Sequence, residues 1–145
     1  MCDCCEKKVI KTDKAPKALG PYSVAIVANG FVFTSGQVGL DPVTNNIVEG
    51  GIEAETRQVL TNLKNVVEAS SSNLGLVVKC TVFLRDMNDF AKMNAIYGEF
   101  FTENFPGRSA VQVAALPKNA AVEIECVALV ECECEEGECC CGKEK

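Results

Sequence analysis

Val77-Val78-Lys79-Cys80-Thr81-Val82-Phe83-Leu84 leads through Arg85-Asp86-Met87 into Asn88-Asp89-Phe90 and on to Phe101. The first eight residues alternate, with Val78, Cys80, Val82 and Leu84 on one side, which is the two-residue period of a β-strand. The period then changes. Phe90, Met93, Tyr97, Phe100 and Phe101 share one side of a helix, with Asn88 or Asp89 as its N-cap. A strand passing directly into an amphipathic helix predicts a sheet with a helix laid on it.

Upstream, Ile52, Val59, Leu63, Val66 and Val67 fall on one face of a helix over Ile52–Ser70, with Glu53 and Glu55 near its positive N-terminal end. The run Ser70-Ser71-Ser72-Asn73, followed by Gly75, stops it. Further upstream, Ser23–Ala28 and Phe31–Gly36 read as strands joined by Asn29-Gly30, a hairpin signal because both residues tolerate positive φ. Val9–Thr12 is a short first strand, the 16–21 segment is a loop, and Asp41-Pro42 with Asn45-Asn46 punctuates another. Downstream, Pro106-Gly107 ends the second helix, and strands over Ser109–Ala114 and Val122–Cys132 flank Leu116-Pro117-Lys118-Asn119.

The resulting order is strands, helix, strand, helix, strands: an α+β sheet with two helices on one face. The uncovered face would expose Val77, Phe83 and either Ile26 or Val27. An apolar sheet face without helices predicts burial against another subunit.

The 145 residues suffice for one core. Residues 1–7 and 133–145 are expected to be appendages, leaving one domain over 8–132. No apolar run has the length of a membrane span, and the start Met-Cys-Asp-Cys-Cys-Glu-Lys-Lys has no apolar signal region, so a cytoplasmic location is expected. Of the formal net charge of −6, residues 131–145 carry −4, from six Glu and two Lys. The remainder is near neutral, with three arginines, Arg57, Arg85 and Arg108. Without clustered positive charge, a nucleic-acid partner is not expected.

There is no histidine. That excludes Ser-His-Asp and Cys-His nucleophilic machinery, His-paired ribonuclease chemistry and a His-built zinc centre. Of the ten cysteines, Cys80 and Cys126 fall in core-like strands, where a small buried thiol is expected. The other eight, Cys2, Cys4, Cys5, Cys132, Cys134, Cys139, Cys140 and Cys141, cluster in the two ends. Their thiolates could bind a soft metal, pair as disulfides or remain free. No paired C-x-x-C signature is present and acidic flanks raise thiol pKa values, so no metal is assigned.

Several stretches, in register, resemble the reactive-imine deaminase (Rid, or YjgF-like) family, also described as endoribonuclease L-PSP. They are Ala15-Pro16 with Gly20-Pro21-Tyr22-Ser23, Thr34-Ser35-Gly36-Gln37, Val78–Leu84 into Asn88-Asp89-Phe90, Asn94 with Tyr97, and Phe105-Pro106-Gly107-Arg108-Ser109 through Val113–Lys118 to Val122-Glu123-Ile124-Glu125. The match runs from about residue 8 to about residue 130. The resemblance implies a chorismate-mutase-like mixed sheet and a homotrimer with sites between subunits. It implies hydrolysis of 2-imino acids such as 2-iminopropionate and 2-iminobutyrate to 2-keto acids and ammonia, without a cofactor. Arg108 matches the residue that binds the substrate carboxylate, and Glu123 the acid that holds or activates water. Tyr22, Ser35, Gly36 and Asn94 match positions lining the substrate cleft. Ala110 stands where many bacterial members have Cys, and Gly107 where Ala is more usual.

Each residue also has a plainer explanation. Arg108 could pair with an internal Glu, although a planar fork grips a carboxylate as lysine cannot. Glu123 and Glu125 share one strand face and could simply be solvated. Tyr22 could be a packed aromatic, and Ser35-Gly36 a strand end permitting close approach. Asn94 is a poor residue for a helix interior, which favours a polar partner. The rival expectations are an endoribonuclease or translation inhibitor, and a non-catalytic trimer that binds small carboxylates.

Overall fold

The computed structural model describes residues 6–131. The terminal segments and the eight cysteines within them lie outside the described residues. Seven strands and two α-helices follow in the order β1 (Lys8–Ile10), β2 (Ala25–Ala28), β3 (Phe31–Thr34), β4 (Gln37–Val38), α1 (Gly51–Ala69), β5 (Val77–Leu84), α2 (Phe90–Phe100), β6 (Gly107–Gln112) and β7 (Val122–Leu129). The sheet order is β1-β2-β3-β7-β5-β6, with β4 also paired to β7. All pairs are antiparallel except β5–β6, which are parallel because α2 carries the chain back between them. This is the expected α+β mixed sheet. No helix among the described residues is long and apolar enough to cross a membrane.

The hairpin between β2 and β3 turns where Asn29 and Gly30 take φ of 50° and 78°, the double positive φ of a type I′ turn. Helix α1 buries Ile52, Val59, Leu60, Leu63, Val66 and Val67 against the sheet. It also buries polar groups that fasten neighbouring chain. Asn62 Nδ2 donates to the carbonyls of Leu40 (2.9 Å) and Val38 (3.3 Å). Buried Glu55 accepts the N–H of Ala121 at 2.9 Å, just before β7 begins. Both contacts hold the β4 region and the entrance to β7 in place. Helix α2 adds Met93, Ile96 and Tyr97 to the same core. Asp89 is the N-cap residue of α2, as expected, but makes no side-chain capping bond; that bond forms one turn earlier, where Asp86 accepts the N–H of Asn88 at the start of the 3₁₀ turn Met87–Asp89.

One assignment of faces is corrected. Val77 is buried and Val78 is 42% exposed, the reverse of the simple alternation. A register irregularity between Val77 and Lys79, opposite Ala128 and Val127, inserts the extra residue and restores the phase by Cys80. The open face carries a row formed by Val9, Ile26, Phe33 and Val127, aligned across β1, β2, β3 and β7. Ile26 is thus the outward residue, whereas Val27 packs on the core.

Candidate active site

Glu123 lies near the start of β7, between Val122 and Ile124, which are both fully buried on the helix side. Glu123 and Glu125 therefore project from the open face. They line a cavity of about 450 Å³ together with Tyr22, Ser35, Gly36 and Gln37. Leu19, Val24 and Leu40 make its apolar walls, and Lys17 and Lys118 stand among the lining residues.

The cavity depends on the sharp passage from β3 into β4. Ser35 donates its hydroxyl to the Ser23 carbonyl at 2.6 Å and its N–H to the Val24 carbonyl at 2.9 Å. Its side chain is thus committed to holding the loop before β2. At Gly36 the chain comes so close to Glu123 that a Cβ would overlap Oε1 and lie 2.8 Å from Cδ. The missing Cβ is the space the carboxyl group occupies. Burial, and secondarily the negative charge of Glu125, hold the Glu123 carboxyl above the ordinary glutamate range. Tyr22 is 49% exposed, and its hydroxyl accepts the N–H of Leu19 at 3.1 Å, which folds the 16–22 loop over the cavity mouth.

Arg108 and Asn94 are elsewhere. They line a second cleft of about 350 Å³ with Tyr97, Phe101, Phe105 and Pro106. Arg108 sits on β6 opposite buried Cys80 of β5, and Ala110 packs on the core, so this side of β6 faces the helices. The guanidinium carbon lies 4.7 Å above the Tyr97 ring centroid and 5.6 Å from that of Phe90. No carboxylate among the described residues comes within ion-pair distance of it; the ion pairs formed are Arg57–Glu99 and Lys64–Glu68. The internal ion pair is therefore not what occupies Arg108.

The six residues singled out in the sequence thus form two groups. Tyr22, Ser35, Gly36 and Glu123 share one cavity, and Arg108 with Asn94 shares another. Glu123 is paired with Phe83 and Arg108 with Cys80, so their backbones are roughly 10 Å apart along the strands and roughly 10 Å across them. Their side chains leave opposite faces of the sheet. A small substrate cannot meet both within one copy of the chain.

Sequence reasoning left three contributors aside. Gln37 is buried in the wall of the first cavity, on a two-residue strand too short to have a period. Glu125, which shares the strand face of Glu123, lines that cavity beside it rather than standing free in solvent. The aromatic pair beneath Arg108 had a signal, since Phe90 and Tyr97 are seven residues apart on one helix face, but it read as core. Among the described residues, no group of three or more Cys, Asp or Glu side chains is placed to hold a metal ion.

Residues 12–130 match the model of the family described as endoribonuclease L-PSP. A RutC family protein of Pyrococcus horikoshii is 53% identical over 125 residues, covering 86% of this chain and 99% of that protein. The 2-iminobutanoate/2-iminopropanoate deaminase of Homo sapiens is 46% identical over 123 residues, covering 85% of this chain and 90% of its own length. Among solved structures, E. coli TdcF with bound serine superposes with a TM-score of 0.82 at 42% identity, over 86% of this chain and 99% of that one.

Proposed function

This chain belongs to the endoribonuclease L-PSP family, the Rid or YjgF-like proteins, and we propose that it hydrolyses 2-imino acids to 2-keto acids and ammonia. The reading is carried by an arginine with no carboxylate partner in one cleft and a carboxylate of raised proton affinity in another. These are the two groups this reaction requires. The deaminase name of the human relative and the amino acid bound to TdcF support the same chemistry.

In this reading Arg108 takes the substrate carboxylate through two parallel N–H donors, and Asn94 adds a polar contact. The imine carbon is then held over Glu123, which orients a water molecule and accepts its proton as the oxygen attacks. The tetrahedral carbinolamine gains a proton on nitrogen, which Glu123 can return; the hydroxyl oxygen then forms the C=O bond as the C–N bond breaks, and its proton is released to Glu123 or solvent. One water is consumed, one ammonia leaves and a 2-keto acid remains. An imine is already electrophilic, so neither metal nor cofactor enters the steps. Tyr22, Ser35 and Gly36 shape the pocket: Tyr22 as its cover, Ser35 by fastening the loop, and Gly36 by making room for the acid.

Because Arg108 and Glu123 leave opposite faces, the complete site is assembled from two copies. The apolar row on the open face supplies the surface for that contact, and a homotrimer is the assembly we propose. Residues 8–132 form the working domain, and deletion of residues 1–6 and 134–145 should leave hydrolysis intact.

Ammonia release from freshly generated 2-iminopropionate and 2-iminobutyrate tests the reading, alongside light scattering and incubation with RNA. Turnover by an oligomer of about three chain masses is expected. A stable monomer at micromolar concentration, or an intact oligomer without imine turnover, would overturn it. RNA cleavage that persists through purification and responds to cleft substitutions would favour the nuclease reading instead.

A further inference from the structure

We propose that Tyr97 and Phe90 are positioning residues: together they form an aromatic seat that fixes the Arg108 guanidinium while leaving its charge and N–H donors available to an anionic substrate. The role of this seat rests on the reading of Arg108 as the carboxylate-binding residue; the seat itself is a matter of geometry.

An arginine at the rim of a fold is commonly immobilised by a carboxylate, which consumes two of its donors and cancels its charge. Arg108 has no such partner among the described residues. Instead its guanidinium carbon lies 4.7 Å from the Tyr97 centroid and 5.6 Å from that of Phe90, both within cation–π range. A ring face attracts the cation without accepting its N–H groups, so the planar fork keeps its donors for a ligand. The two rings come from one helix, two turns apart, and so share a face.

The seat is itself held firmly. Tyr97 is 7% exposed and stacks on Phe101 with centroids 4.7 Å apart and planes tilted by 31°. Its hydroxyl lies beside the Cys80 thiol and has no hydrogen-bond partner among the described residues. Burial raises the hydroxyl far above the ordinary tyrosine range, so no phenolate forms to compete for the guanidinium. The neighbouring Cys80 thiol is likewise pushed up by burial and stays neutral. Two charged groups on the packing elements are engaged elsewhere: Glu99 of α2 with Arg57, and Lys79 of β5 with Ser109. What the rings contribute is orientation, and their loss should appear in substrate capture more than in the chemical step.

The test uses the full-length oligomer with Phe90→Leu, Tyr97→Leu, Tyr97→Phe and, as benchmark, Arg108→Ala. Readouts are KM and kcat for 2-iminobutyrate, the Kd of 2-oxobutyrate by calorimetry, and the order parameter of the Arg108 Nε–H group by NMR. Each leucine variant should raise KM and Kd about 3- to 30-fold, with a smaller change in kcat, and should lower the Nε–H order. Tyr97→Phe keeps the ring and should restore most of what Tyr97→Leu loses. Because Tyr97 is buried, its leucine variant can fail to fold; Phe90, which is only partly buried at the edge of the core, provides the milder variant. Folded leucine variants with unchanged Kd and unchanged Nε–H order would overturn the proposal. Lowered Nε–H order in those variants, with Kd unaffected by Arg108→Ala, would support the seat and overturn the function read into it.

Discussion

Gly36 and Glu123 occupy one another's space: a Cβ on Gly36 would overlap the Glu123 carboxyl oxygen Oε1 and stand 3.0 Å from its Cγ. The requirement for glycine here is steric, since Gly36 is not among the residues with positive φ. The loop leaving β3 thereby acts as a mould for the acid on β7.

Gly36→Ala should therefore push the Glu123 carboxyl out of position while leaving the fold in place. Because a displacement of about 1 Å can cost about 100-fold in rate, kcat/KM for imine hydrolysis should fall by about that factor. Circular dichroism and light scattering should match the wild type. Unchanged kcat/KM in a folded Gly36→Ala oligomer would mean that the acid is not where the reaction happens.

The raised proton affinity of Glu123 has two consequences. As a base it must be ionised, so the acid limb of kcat/KM should lie above the ordinary glutamate value of 4.5, and Glu125→Gln should move that limb down by removing a like charge. For stability, the native state binds this proton more tightly than the unfolded chain. The contribution of the group is therefore complete below the ordinary glutamate pKa and is lost as pH rises through the raised native value. Glu123→Gln should thus be more stable than wild type near pH 7, with the advantage fading toward pH 4. Urea denaturation at several pH values measures this; an advantage that grows at low pH would contradict the assigned sign.

Arg108→Ala should cost roughly 2–5 kcal/mol of transition-state binding, roughly 30- to several-thousand-fold in kcat/KM, and Arg108→Lys should recover little. Glu123→Gln should lower kcat more than it weakens 2-keto acid binding. If the site draws Arg108 from one copy and Glu123 from another, mixed oligomers of the two variants regain complete sites. Random 1:1 assembly should return about a quarter of wild-type activity. No recovery on co-assembly would place both residues in the same subunit's site.

Phe33 stands 46% exposed in the row Val9, Ile26, Phe33 and Val127 on the open face. Phe33→Asp should dissociate the oligomer without unfolding the domain, because the side chain is not part of the buried core, and activity should disappear with the assembly. Sedimentation showing an intact oligomer would remove this face from the subunit contact.

Much of the fold was legible locally. The apolar spacing from Ile52 to Val67, and the change of period between Leu84 and Phe90, are properties of a few consecutive residues, and the helices formed where that spacing put them. Asn29-Gly30 likewise carries its turn in its own φ preferences. Val78 could not be read this way, because its face depends on how its neighbours Val77 and Lys79 pair with Ala128 and Val127, some fifty residues onward. Gln37 and Val38 became a strand only because β7 offered them partners.

The candidate site divides along the same line. Arg108, Glu123, Tyr22, Ser35, Gly36 and Asn94 are marked as candidates by residue type and motif, and the absence of histidine by itself narrows the available chemistry. Tertiary structure decided that Glu123 shares a cavity with Gly36, that Arg108 rests on aromatic rings, and that the two face away from each other. Side-chain alternation assigns a residue to one of two faces, but which face meets helices, and which strand lies beside which, is set by burying apolar area between segments distant in sequence. A motif can therefore name candidate groups, while only the packed sheet determines that one copy of the chain cannot bring them together.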